Sequence, residues 1–245
     1  MSDLASLPRR VRFRAVTWAS KRPGVYYGLR RLTRQTDHLC VRRDTDIVIE
    51  GYPRSANSTT VHAFLSMQDR PRHVAHHKHH AAQLLRAAEW DIPAVVLIRA
   101  PREASLSLLA LAAEARHRAG KPATGGLGFS DVLGAYVAFY EAVEPTLDQA
   151  VIGQFETVRN DVRGLVARVN ARFGTDFGTT DEGGGNAPHG ELGWHAMPNE
   201  IRTRIKADLE RNFEQALSGS ASLRRLLARA EAVHARYGDH DGRTG

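Results

Sequence analysis

The sequence predicts an α/β protein: a parallel sheet flanked by helices, P-loop NTPase-like in plan, with a helical C-terminal part. Three observations carry this. Short apolar runs alternate with longer stretches of helical periodicity. The run Ile47-Val48-Ile49 leads into the small-residue loop Gly51-Tyr52-Pro53-Arg54-Ser55-Ala56-Asn57-Ser58-Thr59-Thr60, and then into Val61, Phe64 and Leu65 at helical spacing. Beyond Pro198 the pattern is helical throughout.

Strands are expected at Ile47–Ile49, near His73–Ala75, at Ala94–Ile98 and at Val151–Phe155. Each is a short apolar run bounded by polar or turn-forming residues. Helices are expected over Ser58–Met67, His80–Trp90, Pro101–Arg118, Asp131–Leu147, Val158–Phe173, Pro198–Leu217 and Ser222–Tyr237. Pro101 and Pro198 suit a first helical turn, where no N–H is needed, and Glu103 and Glu200 lie near its positive end. Ser130 is the expected cap of the helix that follows it. Two glycine-rich stretches, Gly120–Ser130 and Gly174–Met197, are long enough to serve as lids.

A chain of 245 residues with 42% hydrophobic content supports one substantial core. The division expected is a basic segment over 1–45, packed on a single domain over 46–245. The net charge of +7 is concentrated at the start: Met1 to Arg34 hold nine Lys or Arg and one acid, which leaves the rest of the chain near neutral. Leu4, Leu7, Val11 and Trp18 fall at roughly helical spacing among Arg9, Arg10, Arg12 and Arg14. Such a helix packs by one face on the domain, or else rests on an anionic membrane or polyanion. No apolar signal region follows the basic residues, and the longest near-apolar run, Ala104–Ala113, is too short to span a bilayer. The single Cys40 excludes an internal disulfide and fits a reducing cytoplasm.

The first loop suits a phosphate-like group, because backbone N–H donors and a helix N-terminus would surround it. On the Walker A template Gly51 takes the first glycine, Ala56 the second, Asn57 the lysine and Ser58 the hydroxyl. The lysine is therefore missing, and the cation sits inside the loop as Arg54. The run Ala94–Ile98 ends in Arg99, where a P-loop NTPase would carry a magnesium-binding acid. Arg99 offers a fork for a terminal phosphate, and Ser107, two turns into the next helix, adds a hydroxyl donor. His76-His77-Lys78-His79-His80 follows the short second strand. It supplies a neutral imidazole as general base, solvated loop histidines, or a metal patch of His76, His79 and His80.

Together these motifs resemble the sulfotransferases that use 3′-phosphoadenosine-5′-phosphosulfate (PAPS) as sulfuryl donor. Gly51 to Thr59 resembles that family's 5′-phosphosulfate loop, and Leu97 to Ser107 its 3′-phosphate segment. Gln154-Phe155-Glu156-Thr157-Val158 is similar to the strand end near the adenine, and the likeness runs in order from Asp46 to Phe173. The resemblance implies a P-loop NTPase-like sulfotransferase fold and transfer of a sulfuryl group, with no metal required. Arg54, Ser55, Ala56, Asn57, Ser58 and Thr59 would hold the 5′ group, Arg99 and Ser107 the 3′-phosphate, and Phe155 the adenine side. Matching Leu84 to the family's helix leucine puts His79 opposite the catalytic histidine, with His77 as the alternative.

The chain departs from the family in several places. Arg54 replaces a lysine, Thr59 a stacking aromatic, and no Arg or Lys occurs from Gly174 to Met197, where many members close on the 3′-phosphate. The implied acceptor is a small molecule, sugar or lipid, and no nucleic acid partner is expected. Competing readings are an atypical P-loop kinase, and a polyanion- or membrane-binding module with a degenerate nucleotide site. Trp194 and His195 are further candidates for lining an acceptor pocket.

Overall fold

The computed structural model describes residues 9–32, 38–120, 126–180 and 200–244. Four strands, β1 (Ile47–Gly51), β2 (Val74–His76), β3 (Ala94–Ile98) and β4 (Val151–Gln154), form one sheet in the order β2-β1-β3-β4. Every pairing is parallel: Val48 lies opposite Ala75 and Ala94, and Val96 opposite Ile152. All five residues of β1 and of β3 are buried, the expected state of a parallel sheet covered on both faces.

Alternation along the strands splits the core in two. Ile47, Ile49, Val95, Leu97 and Val151 face one way and pack with Val61 and Phe64 of α3 (Asn57–Ser66) and Leu165 of α8 (Val162–Phe173). Val48, Val96, Ile98 and Ile152 face the other way. There they meet Leu84 of α4 (Ala81–Glu89) and Tyr136 and Tyr140 of α6 (Phe129–Val143). The chain leaves β1 towards β2 and then crosses to β3 on the opposite side of β1. Helices α3 and α6 therefore lie on opposite faces, and the crevice at the carboxyl ends of β1 and β3 is the topological switch point of the sheet. Gly51 is required at this tip, because a Cβ there would lie 2.2 Å from the Leu97 carbonyl oxygen.

Around this sheet run α1 (Arg9–Ala19), α2 (Pro23–Leu32), α5 (Pro101–Arg118), α7 (Phe155–Val158), α9 (Glu200–Gly219) and α10 (Ala221–Thr244). Helix α1 is fixed to α6 by ion pairs from Arg10 and Arg14 to the buried Asp131 carboxylate, at 2.7 and 2.8 Å. Tyr237 of α10 donates to the Tyr140 carbonyl at 2.8 Å.

The sequence expectations need four corrections. Ser130 does not cap α6: the helix starts at Phe129, and Asp131 reaches back to the Gly128 N–H at 3.0 Å. That helix stops at Val143, where Pro145 leaves a 3₁₀ turn over Glu144–Gln149. Strand β4 ends at Gln154, one residue early, because Phe155 opens α7. The expected helix from Val158 is broken, and Asp161 recaps it by accepting from the Gly164 N–H at 2.7 Å. Pro198, Trp194 and His195 lie outside the described residues.

Candidate functional site

The loop after β1 is held from behind by two phenols of α6. The Tyr140 hydroxyl donates to the Leu97 carbonyl at 2.8 Å and accepts from the Tyr52 N–H at 3.3 Å. The Tyr136 hydroxyl donates to the Arg99 carbonyl at 2.8 Å. Burial raises both phenols above their ordinary range, so they remain protonated donors. Asn57 closes the loop by donating its amide to the Tyr52 carbonyl at 3.1 Å. The Ser55 hydroxyl is fully buried, 3.5 Å from that of Tyr140.

Arg54 (φ 74°) and Ala56 (φ 68°) adopt left-handed backbone conformations, which turn the chain sharply into α3. Ala56 is the N-cap residue of that helix and provides no side-chain acceptor for its first-turn amides. Thr59 is exposed on the outer side of this turn.

Arg54, Arg99 and Ser107 come together. Arg54 Nε donates to Ser107 Oγ at 3.0 Å, and Arg99 Nη1 donates to the Arg54 carbonyl at 3.3 Å. The Arg99 guanidinium lies over the Phe155 ring, 4.0 Å from its centroid, with Glu103 3.7 Å away. Burial lowers the Arg54 pKa, and the nearby positive charges of Arg202 and Arg99 lower it further. Arg202, on α9, is itself buried and paired with the buried Glu114 at 2.6 Å. The Arg54 and Arg99 guanidinium groups thus meet at the switch point. Arg54, from the loop after β1, reaches Ser107 of α5, so the two sets of residues expected at the 5′ and 3′ ends of the donor adjoin one another.

The histidine run lies beside these residues, at the carboxyl end of the neighbouring β2. His77 (φ 55°) and His79 (φ 54°) are also left-handed, and both are shaped by a buried carboxylate. Glu50, fully buried in β1, accepts from the N–H of Lys78 at 2.6 Å and of His79 at 3.1 Å. Burial pushes the Glu50 carboxyl up to about 7 despite these bonds. His79 Nδ1 lies 3.0 Å from the Gly51 carbonyl, which selects the tautomer protonated at Nδ1 and leaves Nε2 as the basic nitrogen. His77 Nε2 lies 2.8 Å from Ser58 Oγ.

Burial depresses His76 to about 3, and His79 and His80 to about 4, so all three are neutral near pH 7. The helical spacing that a metal patch of His76, His79 and His80 required is absent: these residues span a strand end, a left-handed turn and the extended N-cap of α4. Among the described residues no group of three His, Cys, Asp or Glu is arranged to hold a metal ion. A cavity of about 100 Å³ opens beside His79, walled by Phe13, Val16, Tyr52, Pro53 and Phe139.

Glu50, Tyr136, Tyr140 and Arg202 escaped the sequence reading. Glu50 alone left a signal, a carboxylate directly after an apolar strand run. The tyrosines sit in a helix whose pattern looks like plain core, and Arg202 is brought in from 95 positions beyond Ser107 by the α9–α5 packing. Comparison of the chain with protein-family models, with curated proteins and with solved structures returned no match.

Proposed function

We propose that the protein transfers a sulfuryl group from PAPS to a hydroxyl acceptor. The observation that carries the reading is the meeting of Arg54, Arg99 and Ser107 at the β1–β3 switch point. Clustered cations disfavour one another in a partly buried site, and an anion carrying two or more charges relieves this. A nucleotide phosphorylated at both 3′ and 5′ positions supplies such charge, and a sulfuryl group needs no magnesium to offset it.

The residues take these roles. Arg99, stacked on Phe155, and Ser107 bind the 3′-phosphate beside the adenine. Arg54 exchanges or shares its bond to Ser107 and neutralises the phosphate that leaves. The first-turn amides of α3 and the Ser58 hydroxyl hold the 5′ group. His77 orients Ser58. His79 accepts the acceptor's hydroxyl proton at Nε2 as the oxygen attacks sulfur. The bridging S–O bond breaks, and its electron pair goes to the phosphate of adenosine 3′,5′-bisphosphate. Glu50 holds the His79 backbone in place for this step. Gly51 keeps the proton of the resting imidazole on Nδ1.

Calorimetric titration with adenosine 3′,5′-bisphosphate tests the donor site. Tight binding that needs no magnesium, weakened at least tenfold by Arg99→Ala, is the expected result. Preferential binding of ATP with magnesium would replace this reading with a P-loop kinase. Transfer from labelled PAPS to a panel of phenols, sugars and lipid alcohols should drop by about 10²–10³ in His79→Ala and in Arg54→Ala.

A further inference from the structure

We propose that the outer face of the α1–α2 hairpin docks on an anionic lipid bilayer, independently of what the β1–β3 site catalyses. Six large apolar side chains are exposed among the described residues, and five belong to this hairpin: Val11, Trp18, Val25, Leu29 and Leu32. Val11 and Trp18 stand seven residues apart on α1, while Val25, Leu29 and Leu32 fall at i, i+4 and i+7 on α2. Each set therefore lies along one face of its helix. Leu32 is 69% exposed and Trp18 54%, values that a core-facing stripe would not show.

The inward surface of the hairpin is already occupied. Tyr26 and Ala19 are buried, the Tyr27 hydroxyl donates to Gln83 Oε1 at 2.7 Å, and Arg10 and Arg14 hold Asp131. The exposed apolar residues thus lie on sides of the two helices other than those that pack on the domain.

Charge identifies the occupant. All eight charged residues between 9 and 32 are Arg or Lys. Arg22 lies 4.4 Å over the Trp18 ring, so the aromatic and a cation share one surface. Cations alone would suit any polyanion. Cations set among a tryptophan and leucines match a bilayer interface, where phospholipid headgroups meet acyl chains. A nucleic-acid backbone gives the leucines nothing to bury against. Docking here has a structural consequence as well: Phe13 and Val16, on the same α1, wall the cavity beside His79. A bilayer against α1 would lie roughly one helix diameter, about 10 Å, from that cavity.

Co-sedimentation of the full chain with vesicles tests this. Phosphatidylcholine vesicles containing phosphatidylglycerol should bring the protein down. Pure phosphatidylcholine should bind it at least tenfold more weakly, as should raising salt from ~0.05 M to ~0.5 M. The double variant Leu29→Ser/Leu32→Ser should lose at least tenfold in binding with an unchanged circular dichroism spectrum. Lys21→Glu/Arg31→Glu, at two exposed cations, provides a second variant of independent chemistry with the same expectation. Three outcomes would overturn the proposal: no sedimentation, anionic-vesicle binding that ignores the leucine variant, or equal competition by DNA. Self-association without lipid, abolished by the leucine variant, would instead assign the face to a second copy of the chain.

Discussion

Replacing Glu50 by glutamine isolates the charge that holds the histidine loop. Burial raises this carboxyl from an ordinary value near 4.5 to about 7. At ~1.36 kcal/mol per pH unit, that change makes the ionised form cost about 3 kcal/mol of folding stability. The folded chain holds the Glu50 proton more tightly than the unfolded chain does. Its contribution to stability is therefore fully present below the ordinary value, and is lost as pH rises towards 7. Glutamine keeps the shape and removes the charge. Urea unfolding of both proteins at pH 5 and pH 8, at one ionic strength, should show the difference moving about 2.5 kcal/mol in favour of Glu50→Gln at the higher pH. Other titrations are common to both chains and cancel. Glutamine offers only one acceptor oxygen to the two N–H groups of Lys78 and His79, so the transfer proposed above should fall at least tenfold in this variant. A difference independent of pH, or one favouring the wild type as pH rises, would refute the reasoning. It would mean that the two N–H bonds outweigh desolvation.

The histidines impose the opposite slope. His76, His79 and His80 have folded values depressed below the ordinary 6.5, so their contribution is present above 6.5 and is lost as pH falls towards 4. The urea midpoint should drop over that window, and His80→Gln should make the drop shallower. Tyr140→Phe removes the donor to the Leu97 carbonyl and the acceptor of the Tyr52 N–H, and should cost about 1–3 kcal/mol by thermal denaturation. Ala56→Gly relieves a left-handed alanine and should stabilise the chain by up to ~1 kcal/mol, read in the same melts.

The parallel sheet was legible because each strand announces itself locally. Val95 to Leu97 and Ile47 to Ile49 are apolar runs with turn chemistry on both sides, and the loop after β1 is marked by small residues. The spacing singles out Arg99 and Ser107, but each contacts Arg54 and not the other: Ser107 the Arg54 guanidinium, Arg99 the Arg54 carbonyl. What depended on packing between distant elements was not legible. The orientation of Arg54 towards Ser107 follows from the left-handed turn at residue 54, which nothing in an arginine foretells. Glu50 looked like the polar end of a strand, yet it is wholly buried because the histidine loop folds over it and satisfies its oxygens. Arg202 reaches the site only through the docking of α9 on α5, a contact between helices with no sequence signature in common. The capping error at Ser130 had a simpler cause. Asp131 competes for the same N-terminus and, as the stronger acceptor, reaches back to Gly128.

The distribution of backbone strain ties these pieces to function more closely than any single side chain. Five non-glycine residues among the described ones have positive φ, and four of them, Arg54, Ala56, His77 and His79, belong to the two loops that face each other at the carboxyl edge of the sheet. Each such residue costs on the order of 1–2 kcal/mol, and the surrounding contacts must impose it. At His77 and His79 the imposing contacts are visible. Glu50 holds the intervening backbone, Gly51 holds the His79 ring and Ser58 the His77 ring. At Arg54 the carbonyl is held by Arg99 and the side chain by Ser107. A loop serving only to connect β1 to α3 would relax by placing glycine at 54 and 56, and one connecting β2 to α4 would have no reason to bury an ionisable acid beneath it. The chain sustains both costs at one edge, where two strained loops at neighbouring strand ends carry cations and a neutral imidazole. A purely structural edge gives no reason for that coincidence, and the donor site proposed above gives one.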